Sequence, residues 1–165
     1  MSEIDERCGK GKEYGTAVHN EAQMMHYGCL PSGKFPESDY IQDSVLSRRR
    51  MPGFLTSYSE IDCTLPVCGG RYILRGTIDL LMVFEDRIEI HDYKTDVTDR
   101  FQGEYELQLS VYARAAEAFY KGLPVRCYID YVSQGKTHDF APVSMAKIDE
   151  RAETEIPKRL ADPTS

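Results

Sequence analysis

The chain has 165 residues, a net charge of −7, 41% hydrophobic residues and 28% charged residues. These values predict a single globular domain over residues 1–165, and the negative charge argues against indiscriminate nucleic-acid binding. No apolar run is long enough to span a bilayer, and the charged N-terminus lacks the apolar core of a signal peptide. We therefore expect a cytoplasmic protein without membrane contact, with flexible ends at residues 1–13 and 161–165.

The first third of the sequence predicts two helices. The first covers residues 14–28, with Thr16 as its N-cap, and a loop rich in Pro, Gly and Ser follows over residues 29–40. The second covers residues 41–50 and stops before Pro52. It ends in the run of three arginines at 48–50, which is typical of a solvated helix end, with DNA contact as the alternative reading.

The rest of the sequence predicts five strands, in the order βββ, α, ββ, α. The long helix covers residues 104–121, where Tyr112 and Phe119 have the spacing of core residues, and a polar helix covers residues 144–160. The predicted strands are 58–66, 70–84, 87–95, 125–133 and 137–143. This order indicates an α/β or α+β fold with one sheet.

The turn between the second and third strands fixes a register. If Glu85 and Asp86 form a two-residue hairpin loop, paired positions sum to 171 and one face carries apolar pairs that end in Asp79 and Asp92, with Lys94 beyond them. Directly opposed side chains have Cβ atoms about 4.5–5.5 Å apart, so like charges there repel unless a cation lies between them. The pairs on this face are Val83–Ile88, Leu81–Ile90 and Asp79–Asp92.

Two converging carboxylates predict a hard-oxygen site for Mg²⁺ or Mn²⁺. Lys94, one strand step further, is placed to polarise a water molecule as it loses its proton, and such a site suits hydrolysis of a phosphodiester. The alternative is purely structural: Asp92 and Lys94 form an ion pair at the strand edge, and Asp79 caps a turn.

Four motifs in order resemble the RecB-type nucleases of the PD-(D/E)XK superfamily. They are GTAVH at 15–19, GTIDLL at 76–81, HDYKT at 91–95 and QLSVY at 108–112. The resemblance covers roughly residues 14–133 and is strongest to the C-terminal nuclease domain of UvrD/AddA-type helicases. It implies a restriction-endonuclease-like core, a central mixed sheet of about five strands flanked by helices.

The resemblance also implies roles for individual residues. Gln108 and Tyr112 share one helix face, which in the family orients the lysine and contacts the nucleic-acid backbone. The implied catalytic residues are Asp79, Asp92, Lys94, Gln108 and Tyr112. The implied ligands of Mg²⁺ or Mn²⁺ are His19, Asp79 and Asp92. Relatives with an iron–sulfur cluster use three cysteines downstream of these motifs, where this chain has Cys127 alone, so no cluster is expected.

The function that follows is a metal-dependent deoxyribonuclease that acts on single-stranded DNA or DNA ends, in repair or recombination, beside a UvrD/AddA-like helicase module. The alternatives are a non-catalytic DNA-binding or scaffolding domain of a helicase complex, and another metal-dependent phosphodiesterase or an RNase. Glu60 is a further candidate acid. The remaining histidines, His26, His91 and His138, are predicted to be ordinary core or surface residues.

Overall fold

A computed structural model describes residues 11–161 and contains one sheet of five strands. The strands are β1 Phe54–Val67, β2 Tyr72–Phe84, β3 Ile88–Lys94, β4 Val125–Tyr131 and β5 Lys136–Phe140. They lie in the order β1-β2-β3-β4-β5. Only the β3–β4 pair is parallel, and the other three pairs are antiparallel. This confirms the predicted mixed sheet of about five strands.

Helices flank both faces of the sheet. They are α1 Lys12–His26, α2 Glu37–Tyr40, α3 Gln102–Glu117 and α4 Met145–Ala161. The short helix α2 continues as a π-helical turn over Ile41–Val45 and a 3₁₀ turn over Leu46–Arg50. The long helix α3 joins β3 to β4, as a parallel pair requires. Within residues 11–161, none of these helices has both the length and the apolar character needed to cross a membrane.

Two details of the predicted helices were wrong. Thr16 is not the N-cap of α1, because the helix begins at Lys12 after Gly11, and the Thr16 hydroxyl donates to the Lys12 carbonyl inside the first turns. Phe119 is not a core residue: α3 ends at Glu117, and the Phe119 side chain is 82% exposed. The predicted flexible ends lie outside the described residues, apart from the few that belong to α1 and α4.

Separate apolar clusters cover the two faces of the sheet. The β1–β2 hairpin extends beyond the other strands, and its far end packs under α4 through Leu65, Val67 and Ile148. The cluster beneath α3 includes Ile78, Leu81, Val83, Ile88, Ile90, Leu109, Tyr112 and Ile129. The cluster beneath α1 and α2 includes Val18, Ala22, Ile41, Val45, Leu80, Met82, Phe84 and Tyr93.

The predicted β2–β3 register is confirmed, but the ladder ends earlier than expected. Val83 pairs with Ile88 and Leu81 pairs with Ile90, and the last pair is Leu80 with His91. Asp79 and Asp92 are one step beyond it and do not pair.

The β1–β2 ladder is interrupted at the same level. Its pairs on either side are Ser59 with Leu80 and Ile61 with Ile78, and Glu60 between them has φ 54°. Ile78 and Leu81 lie three positions apart yet share one cluster, so the strict alternation assumed from the sequence fails between them. The irregular backbone at this point lets Asp79 reach partners that a regular strand would not offer it.

Candidate functional site

Two buried carboxylates and an amine come together where the β2–β3 ladder ends. The exposed fraction is 8% for Asp79 and 4% for Asp92. Nζ of Lys94 lies 2.8 Å from Oδ2 of Asp92, an ion-pair distance. Within residues 11–161, this ammonium is the polar partner of Oδ2 of Asp92, and no hydrogen bond of standard geometry reaches that oxygen. Burial of a charged carboxylate is costly without a compensating partner, so Asp92 depends on Lys94 or on another cation in this position.

Helix α1 delivers His19 to Asp79. Nδ1 of His19 donates to the Gly15 carbonyl at 2.8 Å, and Nε2 lies 2.9 Å from Oδ2 of Asp79. The same Asp79 oxygen accepts the backbone N–H of Tyr93 at 2.9 Å. Gly15 lets the helix come this close, since a Cβ there would lie 3.2 Å from Oγ1 of Thr95 at the end of β3.

Burial and their mutual interaction shift the pKa values of His19 and Asp79. Burial lowers the pKa of His19, but the hydrogen bond and charge of Asp79 outweigh burial and raise that pKa to about 9. Burial, reinforced by repulsion from Asp92, raises the pKa of Asp79. Both nitrogens of His19 face acceptors, which is the arrangement of a protonated imidazole. A buried carboxylate with a raised pKa gains from any added positive charge.

Helix α3 adds the third part of the site. Nζ of Lys94 donates to Oε1 of Gln108 at 3.2 Å, and Nε2 of Gln108 donates to the Tyr112 hydroxyl at 2.9 Å. Gly76 of β2 makes room for the Tyr112 ring, because a Cβ there would overlap the ring and lie 2.9 Å from its hydroxyl oxygen. The structure therefore brings together all six residues predicted from the sequence: His19, Asp79, Asp92, Lys94, Gln108 and Tyr112.

Comparison with known proteins places this chain in a family. Residues 36–162 match the model of the PD-(D/E)XK nuclease superfamily. The chain belongs to that superfamily of nucleases, which are hydrolases.

Individual relatives match over shorter segments. Two ATP-dependent helicase/nuclease subunits, from Streptococcus pyogenes serotypes M5 and M49, are each 39% identical over 75 residues, which is 43% of this chain and 6% of the relative. This PD-(D/E)XK chain thus matches only a small part of their length. The crystal structure of SSO0001 aligns with a TM-score of 0.47 at 15% identity, over 89% of this chain and 69% of that one.

The donor set of this PD-(D/E)XK site fits a hard divalent cation. The two carboxylates are ligands that Mg²⁺ and Mn²⁺ prefer, and the imidazole is a softer donor beside them. Within residues 11–161, Oδ2 of Asp92 has Lys94 as its ion-pair partner but no hydrogen bond of standard geometry. Within residues 11–161, however, no three His, Cys, Asp or Glu side chains are already arranged to hold a metal ion. His19 would have to lose its proton before its Nε2 could act as a ligand.

Several charged residues outside the site have structural roles. Arg48 forms a bidentate ion pair with Glu89 at 2.7 Å, and Arg49 donates to the His26 carbonyl at 3.1 Å. Glu89 is fully buried beside His91. Two of the three arginines in the run are therefore committed to contacts within the fold, which weakens the reading of that run as a DNA contact.

Sequence reasoning missed two residues at the site, Tyr105 and Asp96. The Tyr105 ring lies under Nζ of Lys94, and its hydroxyl donates to Asp96. Tyr105 is three residues before Gln108 on α3, and this spacing was the available signal for it. Glu60, the further candidate acid, feels the charges of His19 and Asp92: burial raises its pKa, His19 lowers it and Asp92 raises it.

Proposed function

We propose that this chain is a Mg²⁺- or Mn²⁺-dependent deoxyribonuclease domain that hydrolyses phosphodiester bonds. One observation carries the proposal: two buried carboxylates, Asp79 and Asp92, lie on neighbouring strands just beyond the end of the β2–β3 ladder, beside the Lys94 amine. Asp79, Asp92 and His19 would hold the metal. When bound, the metal would stabilise negative charge on the phosphate and make a water molecule more acidic.

Residues around the metal would orient the reacting groups and stabilise charge. Lys94 would orient the attacking water and stabilise the negative charge that develops as the water loses its proton. Gln108 accepts from Lys94 and donates to Tyr112, so this pair would fix the direction in which the ammonium points. The Gly15 carbonyl holds the imidazole of His19 with Nε2 toward Asp79.

The substrate and the setting are also proposals. The matched relatives are named as subunits of an ATP-dependent helicase/nuclease, which supports DNA as the substrate and a UvrD/AddA-like helicase module as the partner. We propose exonuclease action on single strands or DNA ends, in repair or recombination in the cytoplasm.

A second candidate is a non-catalytic DNA-binding or scaffolding domain of a helicase complex. One observation favours it: each carboxylate already has a cationic partner, His19 on Asp79 and Lys94 on Asp92. A site balanced in this way is stable without a metal ion, as a scaffold would require.

Cleavage and metal titration separate the two candidates. The purified chain is incubated with Mg²⁺ or Mn²⁺ on single-stranded DNA, double-stranded DNA and RNA. A nuclease cleaves DNA, and Lys94→Ala lowers the rate by about 10²-fold or more, whereas the exposed Lys121→Ala variant cleaves at the wild-type rate.

Isothermal titration calorimetry gives the second readout. The wild-type protein should take up Mn²⁺, and Asp79→Asn, which keeps the side-chain size, should not. No cleavage and no uptake of metal by the wild-type protein would leave the scaffolding candidate in place.

A further inference from the structure

The Lys94 ammonium group is contacted on three sides. Oδ2 of Asp92 lies 2.8 Å from Nζ, and Oε1 of Gln108 accepts from Nζ at 3.2 Å. The third contact is the ring face of Tyr105, whose centroid lies 4.2 Å from Nζ. An ammonium group over an aromatic face is attracted by the negative potential of the ring. The motif that contains Gln108 and Tyr112 does not include this third contact.

The Tyr105 ring is itself held in place. Its hydroxyl donates to Oδ2 of Asp96 at 2.7 Å, and Asp96 is only 6% exposed. The Asp96 backbone is held in turn, since Nε2 of Gln134 donates to its carbonyl at 2.9 Å. The ring is thus tied to the segment that follows β3, while its own backbone belongs to α3.

Two carboxylates, Asp92 and Asp96, compete for the Lys94 ammonium group. Lysine is a point charge on a flexible four-carbon stem, so its ammonium group can turn toward any carboxylate within reach. Asp96 is two residues from Lys94, and its charge acts on the ammonium. Because the Tyr105 hydroxyl occupies an oxygen of Asp96, and its ring supports Nζ from below, Lys94 stays directed toward Asp92 and Gln108.

We propose that Tyr105 is a positioning residue for Lys94, acting through its ring face and through its hydrogen bond to Asp96. The inference rests on the proposed function, in which Lys94 orients the attacking water. It assigns a role in the reaction to a side chain that does not touch the substrate.

Kinetics of matched variants test the proposal. Tyr105→Leu keeps the apolar bulk but removes the ring, and kcat for DNA cleavage should fall about 3- to 30-fold, the range expected for a lost cation–π contact, with KM unchanged. Tyr105→Phe keeps the ring but loses the hydrogen bond to Asp96, so its kcat should lie between that of Tyr105→Leu and that of the wild-type protein. The control is Tyr120→Leu, since Tyr120 packs against the same cluster on the same side of the sheet, and its kcat should equal that of the wild-type protein.

Nuclear magnetic resonance of the metal-free protein provides a readout that is independent of cleavage. The ε-methylene protons of Lys94, assigned with Lys94→Arg, should be shifted upfield by the ring current of Tyr105. The shift should persist in Tyr105→Phe and disappear in Tyr105→Leu, while melting temperatures show that each variant is folded.

The possible outcomes distinguish failure of the positioning role of Tyr105 from failure of the proposed nuclease function. A wild-type protein that does not cleave DNA overturns both. An active protein whose Tyr105→Leu variant keeps the wild-type kcat overturns the positioning role alone. An equal kcat loss in Tyr105→Leu and Tyr120→Leu also overturns that role, because the loss would then reflect packing of the core.

Discussion

The contact between Gly76 and Tyr112 predicts that Gly76→Ala damages both stability and the site. In a strand without a close neighbour, alanine would stabilise by about 0.5–1 kcal/mol over glycine. Here the added Cβ would overlap the Tyr112 ring and lie 3.0 Å from its Cζ. Overpacking of a core by one methyl group costs about 1–3 kcal/mol, which for a chain of this size lowers the melting temperature by about 2–12 °C.

Displacement of the Tyr112 ring in Gly76→Ala should also affect the position of Lys94. If the ring moves, the Tyr112 hydroxyl loses the hydrogen bond from Gln108, which is 2.9 Å long. One net hydrogen bond contributes about 0.5–1.5 kcal/mol, so we expect the rate of DNA cleavage to fall about 2- to 10-fold. Thermal unfolding measures the stability effect, and single-turnover cleavage measures the effect on the site.

A double-mutant cycle decides whether the ring is the cause. In a Tyr112→Leu background the clash is gone, so Gly76→Ala should be neutral or stabilising there, and the two substitutions should be strongly non-additive. Gly103→Ala is the control, because a Cβ at Gly103 would meet no atom of residues 11–161 within 4 Å. If Gly76→Ala costs the same with and without Tyr112, close approach of the ring is not the reason for glycine at this position.

Two further predictions concern stability. Glu60→Gly should raise the free energy of unfolding by about 0.5–1 kcal/mol, because φ 54° is unfavourable for a residue with a Cβ and is not for glycine. Denaturant unfolding measures this, and a decrease refutes backbone strain. For His91, burial lowers the pKa, but the charge of Asp130 and the hydrogen bonds that the imidazole donates to Asp130 and Glu89 raise the pKa above 6.5. The stabilising effect of the His91 charge is therefore complete below pH 6.5 and is lost as pH rises through the folded-state pKa. The difference in free energy of unfolding between the wild-type protein and His91→Gln should become smaller as pH rises. A difference that does not change with pH contradicts a buried imidazolium.

The regular part of the sheet could be predicted because alternation and one tight turn determine it. The pairing of Leu81 with Ile90 follows from the loop at Glu85 and Asp86 and is found in the structure. The prediction fails where the backbone leaves the regular strand. Positive φ at Glu60 has no signature in the sequence, since glutamate carries no preference for it, and this irregularity ends strict alternation near Asp79.

The site could be predicted as a set of residues but not as a set of contacts. The order of the motifs brought Asp92, Lys94 and Gln108 to attention, and the structure places them in contact. Sequence reasoning expected the two aspartates to form a cross-strand pair. Instead, Asp79 turns to His19 and to the Tyr93 N–H, because a buried carboxylate gains more from hydrogen-bond donors than from a position opposite a like charge.

The two motif glycines at the site serve close approach rather than unusual backbone conformation. Neither Gly15 nor Gly76 has positive φ, so a larger residue would be allowed by the backbone alone. Each faces a group from another element: a Cβ at Gly76 would overlap the ring of Tyr112, and a Cβ at Gly15 would make a tight contact of 3.2 Å with Oγ1 of Thr95. The first contact brings α1 and its histidine to the end of β3, and the second brings α3 and its glutamine to the lysine. The glycines of the two motifs therefore act through packing: they set how closely α1 and α3 approach Asp79 and Asp92.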